Sequence, residues 1–362
     1  MAYRVVQWST GNVGRHALAG IAARPDLELA GVWVSNPAKV GKDAGELAGL
    51  GRPLGVAATG DADALLALRP DCVVYTALAD VRIFEALEDL ARILRSGANL
   101  VSSSPVFLQF PDGVVPPEMS DPIREAAAAG NASIFVNGID PGFANDWLPL
   151  AITGISERID EVRCLEILNY NTYNQPTVLF DIMGFGGSLA DVPPLLRPGV
   201  LSMAWGGVVR QIAAGLGVRL DEVTEWYARL PAPETFEIDS GTIEKGRAAA
   251  LRFEVRGMVA GRPVIVLEHV TRLHDDIAPD WPRPAGQGCY RVEVRGEPNY
   301  TVDLRLLGTD GDHNTAGLKA TAMRLVNAVP AVVAAPPGLL TALDLPLVTG
   351  RGLLRPGPGG TA

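Results

Sequence analysis

Cysteine and histidine are scarce in this sequence, and their scarcity limits the kinds of site that it can form. Three cysteines and four histidines occur among 362 residues. No CxxC pair, HExxH motif or His/Cys cluster is present, so the sequence predicts no metal site. An odd number of cysteines is typical of reduced thiols rather than of a disulfide framework, which favours a cytoplasmic location.

Positive charge and long apolar runs are also in short supply. The 31 Lys and Arg residues stand against 41 Asp and Glu residues, for a net charge of -10. No basic stripe offsets repulsion from phosphates, so no nucleic-acid partner is expected. No stretch reaches ~18 uninterrupted apolar residues, and the N-terminus lacks the apolar region of a signal peptide. We therefore expect a soluble cytoplasmic protein without a membrane partner.

The composition is otherwise that of an ordinary globular protein. Apolar residues make up 48% of the chain and charged residues 20%, and a chain of this length favours two domains with separate cores. Neither a GxSxG elbow nor a GxxxxGK[ST] phosphate loop is present. The sequence therefore argues against hydrolase and kinase functions.

The first part of the chain alternates short β-branched runs with amphipathic stretches. This alternation predicts βαβ units and a parallel sheet in a domain that spans 1–145. The predicted strands are Arg4–Trp8, Leu27–Val34, Gly55–Ala58, Cys72–Thr76, Leu100–Ser103 and Ser133–Val136. The predicted helices between them are Val13–Ala23, Ala62–Leu68 and Val81–Arg95.

Beyond residue 158 the pattern changes to strands that pair as hairpins. It predicts an α+β substrate and dimerisation domain over 146–313, with a mainly antiparallel sheet. Its elements are a strand Val162–Tyr170, helices Thr177–Phe185 and Val200–Leu216, a hairpin of Ala248–Val259 with Val264–Leu273 about Gly261-Arg262, and a second hairpin of Tyr290–Arg295 with Tyr300–Leu307.

The C-terminal part is predicted to complete the first domain. Segment 314–350 opens with a helix, Thr315–Val329, that ends at Pro330 and is apolar on most sides, so we expect it to be buried against the first domain. The Pro/Gly-rich tail, 351–362, is expected to be flexible.

The run WSTGNVG has the spacing of a phosphate-binding turn between a strand and a helix. It reads Ser9-x-Gly11-x-x-Gly14, with serine in place of the first glycine of a dinucleotide fingerprint. Glycines here allow the backbone to approach a pyrophosphate at the helix N-terminus. We predict a Rossmann-type site, with an ordinary turn as the alternative. Its cofactor-binding residues are Ser9, Thr10, Gly11, Asn12, Val13 and Gly14.

The segment after the second strand favours NADP over NAD. Ser35 and Asn36, followed by Lys39, stand where an NAD enzyme carries the carboxylate that binds the ribose 2′-hydroxyl. No carboxylate repels a 2′-phosphate there, although Lys39 can also be read as a solvated loop charge. Small residues at the ends of the fourth and fifth strands leave room for the nicotinamide, unless they are plain loop residues. These are Thr76, Ala77 and Ser103.

Several longer motifs resemble the dihydrodipicolinate reductase-like proteins, and within them the 2,4-diaminopentanoate dehydrogenase and native amine dehydrogenase group. The motifs are STGNVGR, SNPAKVGKDAGEL, NGIDPGFANDWLPL, NYNTYNQPTVLFDIMGFG and TAMRLVNAVPAVVAAPPGLLTALDLP. The resemblance implies a nucleotide-binding domain, an inserted substrate domain, a homodimer, and NAD(P)-dependent interconversion of an amine with a ketone and ammonia. The His-His pair and lysine motif of true dihydrodipicolinate reductases are absent, which argues against a role in lysine biosynthesis.

One departure from the resemblance concerns the acid of the amine dehydrogenases. In their alignment with this chain, Phe107 takes the place of a glutamate that follows the fifth strand, and phenylalanine cannot transfer a proton. Asp140, Tyr170 and Tyr173 are the alternative proton donors. Asp140 is also a candidate cap for a helix near Pro141, and the tyrosines can be packing residues. Other predicted pocket residues are Phe107, Asn145, Trp147 and Asp181.

Together these features predict an NAD(P)-dependent oxidoreductase that prefers NADP. Its small-molecule substrate is expected to be a small apolar carbonyl or imine, because residues 104–111 and 168–185 are rich in apolar and aromatic side chains. The protein positions the substrate while the cofactor carries the hydride chemistry. The alternative is an NADP-binding sensor without turnover.

Overall fold

The structure, a computed structural model, describes residues 2–354 and divides into two compact units. The first unit comprises 2–109, 116–138 and 318–354, and the second comprises 110–115 and 139–317. The part of the predicted flexible tail at 355–362 lies outside the described residues. Among residues 2–354, none of the helices combines the length and apolar character that a membrane span requires.

The elements follow one another along the described chain in two stretches of different character. The strands are β1 (Tyr3–Trp8), β2 (Leu27–Trp33), β3 (Ala58–Thr59), β4 (Cys72–Tyr75), β5 (Asn99–Ser102), β6 (Ser133–Val136), β7 (Arg158–Asn169), β8 (Glu222–Pro231), β9 (Phe236–Ile238), β10 (Gly241–Ile243), β11 (Ala248–Val259), β12 (Arg262–Arg272), β13 (Cys289–Glu297), β14 (Tyr300–Leu304) and β15 (Gly338–Leu340). The α-helices are α1 (Asn12–Ala22), α2 (Ala44–Leu47), α3 (Ala62–Ala67), α4 (Ile83–Arg95), α5 (Pro117–Gly130), α6 (Trp147–Thr153), α7 (Val200–Gly215) and α8 (His313–Ala334).

The first unit contains a seven-stranded sheet in the order β15-β6-β5-β4-β1-β2-β3. Every adjacent pair in it is parallel. Strands β4 and β6 are buried along their whole length, as apolar strands of a parallel sheet are when helices cover both faces. The predicted Rossmann-type α/β fold is confirmed.

Helix α8 differs from its prediction at the C-terminal end. It runs through Pro330 to Ala334, so the predicted end at Pro330 is wrong. A proline inside a helix removes one backbone hydrogen bond, but Val329 and Val332, on either side of it, are fully buried in the core of the first unit. That burial favours continuing the helix past the proline.

The second unit contains a six-stranded sheet in the order β14-β13-β7-β12-β11-β8. The β7 and β12 strands pair parallel and the other neighbours pair antiparallel, which confirms a mainly antiparallel sheet. Helix α7 packs on β11 and β12, and its buried residues Val209 and Ile212 join Phe253 and Leu267 in one apolar core.

Three local predictions, for one helix, one strand and one hairpin turn, need correction. The segment predicted as a helix over Thr177–Phe185 is a single π-helical turn, Thr177–Ile182. The predicted strand Gly55–Ala58 is reduced to β3. The β11–β12 hairpin turns at Ala260-Gly261, where both residues have positive φ (50° and 74°), as a two-residue hairpin of matching twist requires. The elements that were not predicted are strands β8, β9, β10 and β15 and helices α2, α5 and α6.

Candidate active site

The turn between β1 and α1, Ser9–Gly14, opens α1 without a side-chain cap. The N-cap residue of α1 is Gly11, and within residues 2–354 no side-chain hydrogen bond caps the helix there. The first helical turn contains no acidic residue. Ser9 has a positive φ of 78°, which turns the backbone sharply after the strand. The N–H groups of a helix start that lacks an anionic cap are suited to binding a phosphate.

The two glycines of this turn, Gly11 and Gly14, are required for different reasons. A Cβ on Gly14 would lie 2.3 Å from the Ser9 carbonyl oxygen, whereas a Cβ on Gly11 would have no atom of the described chain within 4 Å. Gly14 is therefore needed for close packing of helix on strand, and Gly11 leaves open space before the helix terminus. This is the division of roles that a dinucleotide-binding turn requires.

Lys39 lies beside the turn, although it is 29 residues away in sequence. Its Nζ donates to the Thr10 carbonyl oxygen at 3.0 Å and to Thr10 Oγ1 at 3.1 Å. Asn36 Oδ1 accepts a hydrogen bond from the Ala38 N–H at 2.9 Å, and Ser35 is exposed. The structure thus brings one cation, Lys39, to the place where a phosphate would bind.

The strand-end residues predicted to line the nicotinamide space are engaged in bonds that shape the turn. Gln7 Nε2 donates to Ser9 O and to Thr76 Oγ1, both at 2.8 Å, and Thr76 Oγ1 donates to Trp8 O at 3.1 Å. The Ala77 carbonyl accepts from Ser104 Oγ, and the Ser103 N–H bonds to the Tyr75 carbonyl. These contacts hold β1 and β4 in register at the turn.

The second unit contains a buried group of ionisable side chains, which we call the acid–histidine cluster: Asp140, Glu166 and His269. His269 Nε2 lies 3.2 Å from Asp140 Oδ1, and His269 Nδ1 lies 3.3 Å from Glu166 Oε1. The side chains of all three are at most 6% exposed. Glu166 and His269 are paired across the neighbouring strands β7 and β12.

Further donors complete the hydrogen bonding of the two carboxylates. Trp205 Nε1 of α7 donates to Asp140 Oδ1 at 2.9 Å. The Tyr170 hydroxyl donates to Glu166 Oε1 at 2.7 Å. The Tyr290 phenol also bonds to Glu166. Buried carboxylates with donors on several sides meet the requirement that a buried charge be hydrogen-bonded.

The charge state of the cluster follows from these contacts. Burial by itself would lower the pKa of His269, but the carboxylates of Asp140 and Glu166 raise it to about 10. Burial, followed by the Glu166 charge, raises the pKa of Tyr170 and of Tyr290 well above the ordinary value. At neutral pH the cluster therefore holds an imidazolium, and both phenols keep their protons.

The same three residues offer ligand atoms within 4.8 Å of one another, which is close enough to hold a metal ion. The sequence predicted no metal site. A metal would need one imidazole nitrogen and both carboxylates to converge on one point. Here Asp140 faces Nε2 and Glu166 faces Nδ1, so the carboxylates lie at opposite edges of the ring. This arrangement suits a protonated imidazole that bonds to two carboxylates better than it suits a metal ion.

The other sequence-predicted residues fall in several places. Asp140 is not a helix cap, because the nearest helix is α6 and Asp146 caps it. Tyr170 and Tyr173 stack with ring centroids 4.5 Å apart, and Trp147 stacks on Phe143 at 5.4 Å. The remaining pocket candidates are Phe107, which is 2% exposed in the first unit, Asn145, which accepts from the Gly142 N–H, and Asp181, which is exposed.

The site residues predicted from the sequence do not include Glu166, Trp205 or His269. Both Glu166 and His269 interrupt apolar strand runs, CLEILN and VLEHV. A charged residue on the core side of a strand is rare unless it is paired. The two charged residues in apolar strands were therefore visible in the sequence. The sequence could not show that they pair with each other, because 103 residues (269 minus 166) separate them.

Comparison with known proteins places the chain among dehydrogenases. The family described as 2,4-diaminopentanoate dehydrogenase C-terminal domain matches residues 143–352. An amine dehydrogenase of Streptomyces virginiae is 46% identical over 346 residues, which cover 94% of this chain and 96% of that protein. The chain belongs to the 2,4-diaminopentanoate dehydrogenase family. The protein is therefore an NAD(P)-dependent oxidoreductase, and the predicted family and enzyme class are confirmed.

More distant relatives support the same family and fold. A 2,4-diaminopentanoate dehydrogenase of Acetoanaerobium sticklandii is 23% identical over 268 residues, or 73% of this chain and 70% of that protein. The solved amine dehydrogenase of Mycobacterium smegmatis is 24% identical, with a TM-score of 0.77 and coverage of 97% of this chain and 98% of that one. The last likeness concerns the fold.

Proposed function

We propose that this family member is an NADP-dependent amine dehydrogenase, which interconverts a small apolar amine with the corresponding carbonyl compound and ammonia. The observation that carries the proposal is the acid–histidine cluster of the second unit. The relative from Streptomyces virginiae, with 46% identity over 94% of the chain, bears the same name. The cluster supplies the proton-transfer groups that this reaction needs.

The need for such groups follows from the chemistry of amine formation. Ammonium must lose a proton before its nitrogen can attack a carbonyl carbon, and a hydroxyl group must gain a proton before it can leave as water. Phe107, which is buried and apolar, cannot perform either transfer. Asp140, Glu166 and Tyr170 lie in one hydrogen-bonded group with His269, so the second unit offers an alternative acid and base.

The residues of the glycine turn fit a nicotinamide dinucleotide. The open space before Gly11 and the uncapped start of α1 suit a pyrophosphate. Lys39 at Thr10, together with the absence of any carboxylate among Ser35, Asn36 and their neighbours to residue 42, supports NADP over NAD. When bound, NADPH supplies the hydride that reduces the substrate carbon.

Residues of the second unit support an apolar substrate. Val178, Phe180 and Ile182 of the π-helical turn are partly buried and pack on the apolar core. Tyr170 and Tyr173, whose rings stack on each other, pack on the same core. The Nδ2 group of Asn145 is buried and has no hydrogen-bond partner within residues 2–354. A buried amide left unpaired is suited to donating to a carbonyl oxygen, and we assign it that role in the pocket.

The experiment is an assay of NADPH consumption by the purified protein with a panel of small ketones and aldehydes. We expect consumption to require both the carbonyl compound and ammonium, with the primary amine identified by mass spectrometry. NADH in place of NADPH is the matched control for cofactor choice. Alcohol formation without ammonium would instead identify a carbonyl reductase, and NADP binding without any turnover would identify a nucleotide sensor.

A homodimer also belongs to this proposal, because the family resemblance implies one. Sedimentation velocity measures the mass of the protein in solution directly. A species near twice 38.2 kDa is expected, and a 38.2 kDa species alone at micromolar concentration would contradict it.

A further inference from the structure

The acid–histidine cluster continues into a chain of hydrogen bonds that ends at the phenol of Tyr170. His269 bridges Asp140 on Nε2 and Glu166 on Nδ1. Glu166 Oε1, the atom that faces the imidazole, also accepts the Tyr170 hydroxyl at 2.7 Å. Tyr170 is partly exposed as a residue, although its hydroxyl is enclosed where it donates to Glu166. The Asp140 side chain is 3% exposed, and the second phenol on Glu166, Tyr290, is 5% exposed. Tyr170 is therefore the less buried end of the chain.

The surroundings of His269 isolate it from water on the remaining sides. Phe253 of β11 stacks on the imidazole at 4.6 Å with ring planes 14° apart, and Trp205 of α7 meets its edge at 4.7 Å. From β7 the buried Cys164 thiol adds no charge, because burial raises its pKa. Asp146, which interacts with that thiol, is also buried.

Each internal bond of the chain can pass a proton without movement of the backbone. The imidazole has one nitrogen for each carboxylate, so a proton that leaves Nδ1 toward Glu166 leaves the other N–H on Asp140. Trp205 Nε1 is a donor only, and it bonds to Asp140 Oδ1, the same oxygen that faces His269. The two ends of the chain thus differ: Asp140 is bonded to Trp205 as well as to His269, and Tyr170 is the less buried end.

We propose that Asp140, His269, Glu166 and Tyr170 form a proton relay that serves the substrate through the Tyr170 hydroxyl, in place of the acid that Phe107 cannot supply. The inference rests on the proposed amine dehydrogenase function. In this relay Tyr170 is the catalytic residue, because its hydroxyl is the group that exchanges protons with the substrate. Glu166, His269 and Asp140 are positioning residues that store the proton and hold its path.

The proton balance of the relay closes over one turnover. The relay starts with the imidazolium of His269 and with ammonia, which adds to the carbonyl carbon to form a carbinolamine. Tyr170 donates a proton to the carbinolamine hydroxyl, the C–O bond breaks, water leaves, and the nitrogen lone pair forms the C=N bond. His269 returns a proton to Tyr170 through Glu166 and becomes neutral. A bound nicotinamide cofactor would supply hydride to the iminium carbon. The next ammonium ion then gives a proton through Tyr170 and Glu166 to His269, which restores the imidazolium and supplies the ammonia of the following turnover.

The relay can be tested with the variants Tyr170→Phe, Glu166→Gln and His269→Gln in the full chain. We expect kcat for amine formation to fall about 100-fold or more in Y170F and E166Q, with KM for the carbonyl compound changed less than threefold. His274→Gln and Tyr227→Phe are matched controls, because both side chains are exposed and lie outside the cluster. Both controls should stay within twofold of wild type.

A preformed cyclic imine separates proton transfer from substrate positioning. It enters as the C=N compound, so neither ammonia addition nor loss of water is needed. We expect Y170F to reduce 2-methyl-1-pyrroline with NADPH within threefold of the wild-type rate, while it fails with ketone plus ammonium. Equal losses on both substrates would show that Tyr170 only shapes the pocket, and would overturn the relay.

A second measurement needs no turnover and no nucleotide. Histidine-labelled protein should show one of its four imidazoles still protonated above pH 9 by NMR. That signal should be absent in H269Q and should titrate at lower pH in E166Q. An ordinary titration near pH 6.5 in the wild-type protein would overturn the relay even if a variant fails to fold.

The outcomes distinguish the relay from the function on which it rests. If the wild-type protein forms amine and Y170F and H269Q keep kcat within threefold, the relay is wrong and the amine dehydrogenase function stands. If the wild-type protein forms no amine from any ketone with ammonium, the proposed function fails and the relay fails with it.

Discussion

The glycine turn of the first unit consists of backbone groups, whereas the acid–histidine cluster of the second unit consists of side chains. The turn is one continuous segment, Ser9–Gly14, and it offers backbone N–H groups and empty space. The cluster joins side chains from a loop and two strands, and it is surrounded by aromatic groups that include Trp205 of α7. The comparison teaches that one protein can leave backbone donors open at one place and enclose charged side chains at another.

The two constructions differ in what they tolerate. A backbone site depends on the absence of side-chain atoms, so it is damaged by adding one methyl group. A side-chain cluster depends on matched charges, so it is damaged by removing a partner and leaving a buried charge unpaired. Substitutions confined to one unit can test this difference.

The largest effect is expected for Gly14→Ala. The new Cβ would lie 2.3 Å from the Ser9 carbonyl oxygen and 2.7 Å from Thr76 Oγ1, so the strand-to-helix turn must shift. We expect nucleotide affinity to fall by about 100-fold or more and the free energy of unfolding to fall by about 1–3 kcal/mol. Isothermal titration calorimetry with NADP and urea denaturation measure the two changes.

Gly11→Ala is the matched control for that variant. Its Cβ meets no atom of the described chain within 4 Å, and φ at Gly11 is -74°, so the folded protein should keep its stability. The methyl group would occupy the space before the helix terminus, and nucleotide affinity should still fall. Unchanged affinity in G11A would show that no phosphate lies there.

The next effect concerns the pH dependence of stability. The pKa of His269 is raised to about 10 in the folded protein, from about 6.5 in an unfolded chain. The native state therefore binds the proton more tightly. Its contribution is fully present below about pH 6.5 and is lost as the pH rises toward 10, with a magnitude on the order of a few kcal/mol.

Urea denaturation at several pH values between 6 and 9.5 checks this expectation. H269Q should be less stable at pH 6, because two buried carboxylates lose their cation, and its stability should not fall over this range as the wild-type value does. H274Q, at an exposed histidine, should keep the wild-type slope. Parallel curves for H269Q and wild type would contradict the assigned charge.

A smaller effect is expected for Lys39→Ala in the first unit. Its ammonium group lies at Thr10, and removing one cation from a phosphate contact should weaken NADP binding about tenfold. NAD binding should change less, so the ratio of the two dissociation constants is the informative quantity. A ratio equal to that of the wild type would assign Lys39 to the fold rather than to the 2′-phosphate.

The smallest effect is expected for Asn36→Ala. Asn36 is exposed and its Oδ1 accepts one hydrogen bond from the Ala38 N–H, so loss of this cap should cost about 1 kcal/mol or less. Thermal unfolding measures the change. If N36A instead weakens NADP binding as much as K39A does, the Asn36 amide takes part in the nucleotide site.

Local features of the chain were predictable because their causes are local. The alternation of strand and helix predicted the parallel sheet, and the spacing of Gly11 and Gly14 predicted a tight turn at the start of α1. In the sequence, Lys39 is a candidate for a phosphate contact or for a solvated loop charge. The folded loop after β2 places its ammonium group at Thr10, and its contact with a 2′-phosphate stays a prediction.

Other features depended on contacts between distant segments. The sequence allowed Asp140 to cap a helix, but in the structure it accepts from Trp205 and faces His269. A proline pattern predicted the end of α8 at Pro330, and burial of Val332 in the core outweighed it. In both cases tertiary packing overrode a preference that acts over a few residues.

The sequence by itself determined the fold class, the glycine turn and the family, because each is encoded by neighbouring residues or by motifs of fixed spacing. Only the tertiary structure decided that Asp140, Glu166 and His269 share one buried site. The physical reason is that pairing of β7 with β12, and closure of the loop after β6, bring together charges that no spacing along the chain relates.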